Sequence, residues 1–184
     1  MKRYYIADLH FDHFNMIRYC GRPFATAEEM NETMIRRWNE VVEDGDMVYV
    51  LGDLMLNRGK RPERHLARLK GRLVLLKGNH DDTWLPKVDT ALWFEQASDR
   101  LEIMDGDRLL TLTHEPLLDL RSYAPEENRY QIHGHIHNNT HMEAWPSLRE
   151  NPRILNASVE VTGYRPLTFD QLLQANVEFK EKHP

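Results

Sequence analysis

Five short apolar segments of this sequence each end in side chains of the kind that bind metal ions, and this repeated pattern constrains the fold most. The clearest segment is residues 73–77, LVLLK, which Gly78 and then Asn79-His80-Asp81 follow. A short apolar run before a glycine predicts a buried strand that ends in a sharp turn. An amide, an imidazole and a carboxylate are costly to bury there unless they bind something.

Four other segments follow the same pattern. Open α/β sheets hold ligands at the carboxyl ends of their strands, so we expect the five endings to meet at one edge. The four segments are residues 4–7 before Asp8 and His10, 47–51 before Gly52-Asp53, 109–113 before His114, and 130–132 before His133-Gly134-His135-Ile136-His137.

Composition limits the class of protein. The chain has 184 residues, of which 41% are hydrophobic and 29% charged, and its net charge of -5 gives no sign of a basic nucleic-acid groove. Cys20 is the single cysteine, which excludes an internal disulfide or a cysteine-based zinc site and fits a reducing compartment. The apolar stretch before Asp8 is too short for a signal peptide or a membrane span. We therefore expect a cytoplasmic protein with no membrane partner, and nucleic acid is not an expected partner.

The remaining patterns predict helices around the strands. Thr26 and Glu29 form a capping-box pattern before a periodic apolar helix that ends at Gly45, and Thr168 and Gln171 form another before a final helix. Other expected elements are a helix between Pro62 and Gly71, a hairpin of residues 101–104 and 109–113, a long loop at 115–128 beside the site, and one or two strands within 154–161.

The strand endings supply carboxylates, imidazoles and one amide oxygen. This mixture suits Mn, Fe, Zn or Ni better than Ca or Mg, which prefer oxygen ligands alone. Seven ligands are too many for one tetrahedral ion but suit two divalent ions about 3.5–4 Å apart, and Asp53 is the expected bridge. We expect Mn in preference to Fe, Zn or Ni. The seven candidate ligands are Asp8, His10, Asp53, Asn79, His114, His135 and His137.

The charge of such a centre predicts a phosphoester substrate. Two divalent ions would keep a net positive charge after Asp8, Asp53 and a bridging hydroxide are counted, so the site would attract a phosphate anion. The ions would also activate water and clamp the oxygens of an in-line displacement. His80 is not needed as a ligand, so we predict that it protonates the departing alkoxide and that Asp81 orients its ring.

Several other polar residues have weaker assignments. Arg22, Asn57 and Arg58 are candidate substrate-binding residues because they lie in loops after ligand-bearing segments, although a solvated surface explains each equally well. We interpret His13 as a loop residue. Strand alternation puts His133 on the same face as His135, which favours a place behind the ligands. Three further histidines are predicted to be solvated: His65, His141 and His183.

In this order, the motifs resemble the five-block signature of the calcineurin-like metallophosphoesterases. Each block is weak alone, but all five in register are specific, and they span about 70% of the chain. The short length and the Arg22-Pro23-Phe24 stretch resemble the compact bacterial and phage members. The blocks are Asp8-x-His10, Gly52-Asp53, Gly78-Asn79-His80-Asp81, His114 and Gly134-His135-x-His137.

The resemblance implies an α/β fold, a two-sheet β-sandwich flanked by helices, as a single domain over residues 1–184. It implies His80 as the catalytic acid with Asp81 as its partner. It also divides the ligands: Asp8, His10, Asp53 and His137 at one ion, and Asp53, Asn79, His114 and His135 at the other.

The leading hypothesis is a dinuclear metal-dependent phosphoesterase that hydrolyses a phosphomonoester or phosphodiester of a small, for example nucleotide-type, substrate. A non-catalytic scaffold on the same fold is the rival, but scaffolds are expected to lose the acid or the ligands, and this chain has kept both. A nuclease of the same family is a third reading, which would need a basic groove or an added domain. The oligomeric state is left open.

Overall fold

Two four-stranded sheets form the centre of the part of the chain described by the computed structural model, which is residues 1–56, 61–118 and 128–183. In the first sheet all neighbouring strands are parallel and follow chain order. Its strands are β1 (Arg3–Ile6), β2 (Met47–Leu51), β3 (Arg72–Leu76) and β4 (Phe94–Ser98).

The second sheet begins with the predicted hairpin and continues with parallel strands. β5 pairs with β6 in antiparallel fashion, whereas β6–β7 and β7–β8 are parallel. The strands are β5 (Arg100–Asp105), β6 (Arg108–Thr113), β7 (Arg129–His133) and β8 (Ile154–Asn156). The predicted two-sheet sandwich flanked by helices is therefore confirmed.

Strand alternation divides the buried side chains between two cores. Tyr5, Tyr49 and Val74 project from the first sheet towards the second, where they pack with Leu112 and Ile132. The alternate residues of the first sheet pack on the opposite side with α2 (Ala27–Val41). A third, smaller cluster lies under α5 (Trp145–Glu150).

The capping residues behave largely as predicted. The Thr26 hydroxyl accepts the Glu29 N–H at 3.1 Å, but the Glu29 carboxylate accepts the N–H of Ala25 and so completes only half of the expected box. Thr168 donates its N–H to Gln171 at 3.1 Å at the start of the last helix, α7 (Phe169–Lys182). The other short helices are α1 (Asn15–Tyr19), α3 (Glu63–Leu66), α4 (Thr90–Trp93) and α6 (Val159–Thr162).

Two predicted elements differ from the structure. The helix expected between Pro62 and Gly71 is regular only over Glu63–Leu66. After it, the side chain of Asn39 donates to the Arg68 carbonyl oxygen and accepts the Lys70 N–H, and these bonds replace those of a continuing helix. The late strand ends at Asn156 and a helix replaces its second half. The side-chain Oδ1 of Asn156 accepts hydrogen bonds from the backbone N–H and the hydroxyl of Ser158, and these bonds turn the chain out of the sheet there. The predicted loop at 115–128 lies outside the described residues from 119 to 127.

The two sheets meet where β1 and β8 end. Ala7 donates its N–H to Ala157 at 2.8 Å, and Val159 donates to Ala7 at 3.1 Å. Because the parallel strands of each sheet end at the same side, this junction brings the five polar endings to one edge of the molecule.

Candidate functional site

The loops after the strands hold several predicted ligands in a strained backbone conformation. Residues other than glycine rarely adopt a positive φ, and such conformations cluster at functional sites. Five of the seven predicted ligands adopt it: Asp8 (φ 58°), His10 (50°), Asp53 (52°), His135 (69°) and His137 (52°). The surrounding structure therefore has to hold these loops in place.

The Asp53 carboxylate lies between two histidines that come from different sheets. Its Oδ2 atom is 3.5 Å from Nε2 of His10 and also 3.5 Å from Nε2 of His114. Ligand atoms of Asp8, Asp53 and His114 all lie within 4.8 Å of one another, as do those of Asp8, His10 and His137. These two overlapping groups share Asp8 and are joined by Asp53.

Two further predicted ligands, Asn79 and His135, meet His114 on the second side of Asp53. Oδ1 of Asn79 is 3.1 Å from Nε2 of His114 and 3.1 Å from Nδ1 of His135, and the two nitrogens are 3.2 Å apart. Ligands that share one ion at about 2.0–2.2 Å are separated from each other by about 3–3.5 Å. The spacing of this group therefore fits a bound cation.

His10 has the properties of a metal ligand. Its side chain is 1% exposed, and neither ring nitrogen has a hydrogen-bond partner among the described residues. Burial lowers the pKa of His10 well below its ordinary value, so the ring is neutral and keeps a lone pair. A buried imidazole without a partner is costly, and a metal ion would satisfy it.

Asp8 is buried and held by groups that the sequence did not reveal. Its Oδ2 accepts a 2.7 Å hydrogen bond from the Ser158 hydroxyl and a 2.9 Å bond from the His135 N–H. Burial raises the pKa of Asp8, while the nearby imidazole of His137 lowers it. A Cβ atom at Gly134 would lie 2.7 Å from the same Oδ2, so only glycine permits this approach.

Glu160 is a second residue that the sequence analysis missed. Both of its oxygens lie 3.2 Å from Nδ1 of His137, whose Nε2 lies 4.0 Å from Oδ1 of Asp8. Burial acts to lower the pKa of His137, but the carboxylates of Asp8 and Glu160 raise it to about 11. Burial acts to raise the pKa of Glu160, but His137 and Arg22 lower it to about 2. The sequence did contain one signal for Glu160: it lies between two valines, which indicates a buried position. A buried glutamate nearly always has a charged or hydrogen-bonded partner.

Arg22 does not fit the predicted role of a phosphate clamp. It is 3% exposed, and its guanidinium donates to Glu160 at 2.8 Å and to the carbonyl oxygens of Asp8 and Leu9 at 2.8 and 2.9 Å. It therefore supports the first ligand loop from behind. The other two candidate clamps, Asn57 and Arg58, lie outside the described residues.

The ring of His80 faces the same space as the predicted ligands. The centroid of the ring lies 5.3 Å from that of His10 and 6.2 Å from that of His13. The backbone N–H of His80 donates to Oδ1 of Asp53 at 2.9 Å. The ring is half-buried at the rim of the group. The loop residue His13 thus also faces the site.

Asp81 has a different position from the one predicted. Its buried carboxylate accepts hydrogen bonds of 2.8–3.1 Å from the backbone of Asp53, Leu54 and Gly78 and from the indole of Trp84. Four bonds fill the usual capacity of a carboxylate, so the prediction that Asp81 orients His80 does not fit. Burial raises the pKa of Asp81 to about 6, against the effect of its hydrogen bonds. Asp81 instead ties the loop after β2 to the loop after β3.

The other histidines are largely structural. His133 is buried behind the group, with Nδ1 2.8 Å from the Gly134 oxygen, and burial lowers its pKa to about 4. The prediction that His65 is solvated is wrong, because it is 2% exposed, stacks on Phe11 and lies 2.9 Å from Asp12. His141 is exposed, and His183 is half-buried.

The fold and this group of carboxylates and imidazoles at its edge define an α/β protein of the phosphoesterase class. The chain belongs to the calcineurin-like phosphoesterase superfamily, whose domain model matches residues 1–157. The resemblance drawn from the five motifs is thereby confirmed.

Two other proteins resemble this chain over most of its length. The uncharacterized protein MJ1445 of Methanocaldococcus jannaschii is 37% identical over 177 residues, which cover 94% of this chain and 90% of that protein. The fold also resembles the crystal structure of AQ665, a protein of unknown function from Aquifex aeolicus, with a TM-score of 0.70 and 25% sequence identity. The match covers 94% of this chain and 98% of the AQ665 chain.

Replacing Asp81 tests its position. Asp81→Asn turns an acceptor oxygen into an NH₂ group that faces a donor, so we expect a loss of roughly 2–4 kcal/mol in the free energy of unfolding and a melting temperature lower by about 5–15 °C. Asp82→Asn, at the exposed neighbouring position, is the control and should melt like the wild type. Equal melting temperatures for all three proteins would contradict this role.

Replacing Glu160 tests whether it orients His137. Glu160→Gln removes the charge that holds a proton on Nδ1, so an NMR titration of the metal-free variant should give His137 a lower pKa than in the metal-free wild type. We also expect the affinity for Mn²⁺ to fall about 10–100-fold. Glu181→Gln, exposed on α7, should change neither value. If Glu160→Gln also changed neither, Glu160 would have no positioning role.

Proposed function

We propose that this protein is a dinuclear metal-dependent phosphoesterase that hydrolyses phosphomonoesters or phosphodiesters of a small substrate. The observation that carries the proposal is the position of Asp53, whose Oδ2 is 3.5 Å from a histidine nitrogen on either side. A carboxylate oxygen shared in this way suits two ions a few ångströms apart. Membership of the phosphoesterase superfamily supports the same reaction class.

The proposed ligands form two sets that share Asp53. The first set is Asp8, His10, Asp53 and His137, and the second is Asp53, Asn79, His114 and His135. The mixture of imidazole nitrogen with carboxylate and amide oxygen favours Mn²⁺, with Fe, Zn or Ni as alternatives. When bound, two such ions supply an activated water and positive charge for the phosphoryl group.

The residues of the chain supply orientation and a proton. The carboxylate of Glu160 fixes the His137 ring, and the hydroxyl of Ser158 and the His135 N–H fix Asp8. The half-buried ring of His80 lies with its centroid 5.3 Å from that of His10, and we assign to His80 the proton donated to the departing alkoxide.

The rival readings have less support. A non-catalytic scaffold would have no use for the unpartnered, buried His10 or for five strained residues among the candidate ligands. No helix in the described parts of the chain is both long and apolar enough to cross a membrane. The net charge of -5 argues against a nuclease, and the single cysteine fits the proposed cytoplasmic location.

Metal dependence follows directly from the proposed ligands. Chelation should abolish hydrolysis, and Mn²⁺ should restore it. Asp53→Ala should lower metal content at both sites and abolish turnover, whereas His10→Ala should reduce mainly one site; elemental analysis and kinetics measure both effects.

The control for this experiment is Asp44→Ala, an exposed loop position, which should keep two ions per chain. Retention of both ions by Asp53→Ala would refute the bridging assignment. Full activity of wild-type protein with one bound ion would refute the dinuclear centre.

A comparison of two esters with different leaving groups tests the role of His80. Protonation matters most for a poor leaving group, so His80→Ala should reduce kcat for an alkyl phosphoester about 10²–10⁴-fold. The loss should be much smaller for a nitrophenyl ester, whose phenolate leaves without a proton. Asp81→Asn should affect both esters equally, because it changes the loops and not the acid. An equal loss for both esters in His80→Ala, with metal content unchanged, would exclude the acid role.

A further inference from the structure

A cavity of about 680 Å³ opens beside the candidate centre on the side of His135 and His137. Cavities of about 300–1,000 Å³ are typical of small-molecule sites. Helix α1 forms one wall and the chain after β7 forms the other. The other lining residues are Met16, Tyr19, Cys20, Ile136, Asn138, Asn139, His141 and Met142.

Apart from the candidate ligands His135 and His137, the lining of this cavity suits a neutral group. Met16 and Ile136 are buried side chains in its wall, and Met142 is half-buried. Among the described residues that line it, none is Asp, Glu, Lys or Arg. Tyr19 is 73% exposed, and an exposed aromatic residue that lines a partly apolar cavity is available for stacking on a ligand.

The two walls are fixed to each other, so the cavity is already formed. The side-chain amide of Asn138 donates to the carbonyl oxygen of Cys20 at 3.0 Å and joins them directly. Asn156 donates to the carbonyl oxygen of His137 at 2.7 Å, which holds the second wall against β8. A preformed cavity binds a ligand without the cost of ordering its walls.

The opposite side of the centre has a different character. A cavity of about 390 Å³ there is bordered by Asn79 and His114 and also by Asp82, Asp99 and Glu115. Its Lys77 is 2.7 Å from Asp99, so this cation is already paired. The negative charge of these side chains disfavours an anionic ester on this side.

We infer that the cavity beside His135 and His137 binds the organic group of the phosphoester, and that this group is neutral and contains an aromatic or heterocyclic ring. The inference rests on the proposed function. The phosphoryl group would lie at the candidate centre and the ring would stack on Tyr19, against the side chains of Met16 and Met142.

Kinetics with two matched substrates tests this inference. Benzyl phosphate and ethyl phosphate both release an alkoxide, but only the first carries a ring. We expect Tyr19→Ala to lower kcat/KM for benzyl phosphate about 5–10-fold, mainly through KM, and to change ethyl phosphate less than twofold. Tyr19→Phe keeps the ring and should behave like the wild type.

The control variant is Leu117→Ala, in the acidic cavity. It should leave the ratio of the two kcat/KM values unchanged. If Leu117→Ala lowered that ratio and Tyr19→Ala did not, the organic group would occupy the acidic cavity. If neither variant changed the ratio, no aromatic subsite would exist at Tyr19.

A binding measurement separates this inference from the proposed function, because it needs no turnover. With Zn²⁺ bound, benzylphosphonate should shift the NMR signals of the Met16 and Met142 methyl groups, and ethylphosphonate should not. These shifts in a protein that hydrolyses no ester would support the cavity and refute the phosphoesterase. Equal effects of the two phosphonates, in a protein that hydrolyses both esters, would refute the cavity and keep the phosphoesterase.

Discussion

The whole site depends on the close approach of loops that follow different strands, and glycines permit that approach. A Cβ atom at Gly78 would overlap the carboxylate of Asp53, and one at Gly52 would overlap the His114 ring. A Cβ atom at Gly134 would likewise overlap the carboxylate of Asp8. A side chain at any of these positions would push two strand ends apart, and the ligand atoms could no longer meet. The buried carboxylate of Asp81 then locks the contact by hydrogen bonding to both loops.

The electrostatics of the site explain why so many charges can be buried together. Arg22 and Glu160 form a buried pair, and the same glutamate contacts His137. A buried charge is tolerated when it is paired and hydrogen-bonded. The charge of Asp8 is less fully balanced by its partners, because burial raises the pKa of its carboxyl group. Burial also lowers the pKa of His10 and so favours its neutral form. A cation would relieve both groups at once, because it favours an ionised carboxylate and a lone pair on the imidazole.

The surroundings of the centre differ between its two sides, and under the proposed function this asymmetry would set the direction of a bound ester. The side of His137 offers a neutral, partly apolar cavity, and the side of Asn79 offers an acidic one. Ligand specificity usually comes from such differences around a common reactive centre.

The sequence by itself determined the five strands that end in polar residues, and also β5 and the start of β8, but it predicted neither β4 nor the order of the strands within the sheets. Apolar runs before Gly52 and Gly78 are short-range patterns, so β2 and β3 were found within one residue of their bounds. The local capping of α7 by Thr168 was predictable for the same reason. The five motifs in register were enough to recognise the superfamily.

Only the tertiary structure decided which partner each buried polar group has. Glu160 contacts His137 across 23 positions of the chain, and Ser158 contacts Asp8 across 150. From its type and its place in the sequence, Arg22 suits a substrate clamp and Asp81 suits a catalytic partner. In the structure both side chains face inward and form hydrogen bonds with backbone groups. Hydropathy patterns report which face of an element is buried, but a hydrogen bond between distant residues depends on how the elements pack. For that reason the candidate ligands could be predicted from the sequence, whereas the groups that orient them could not.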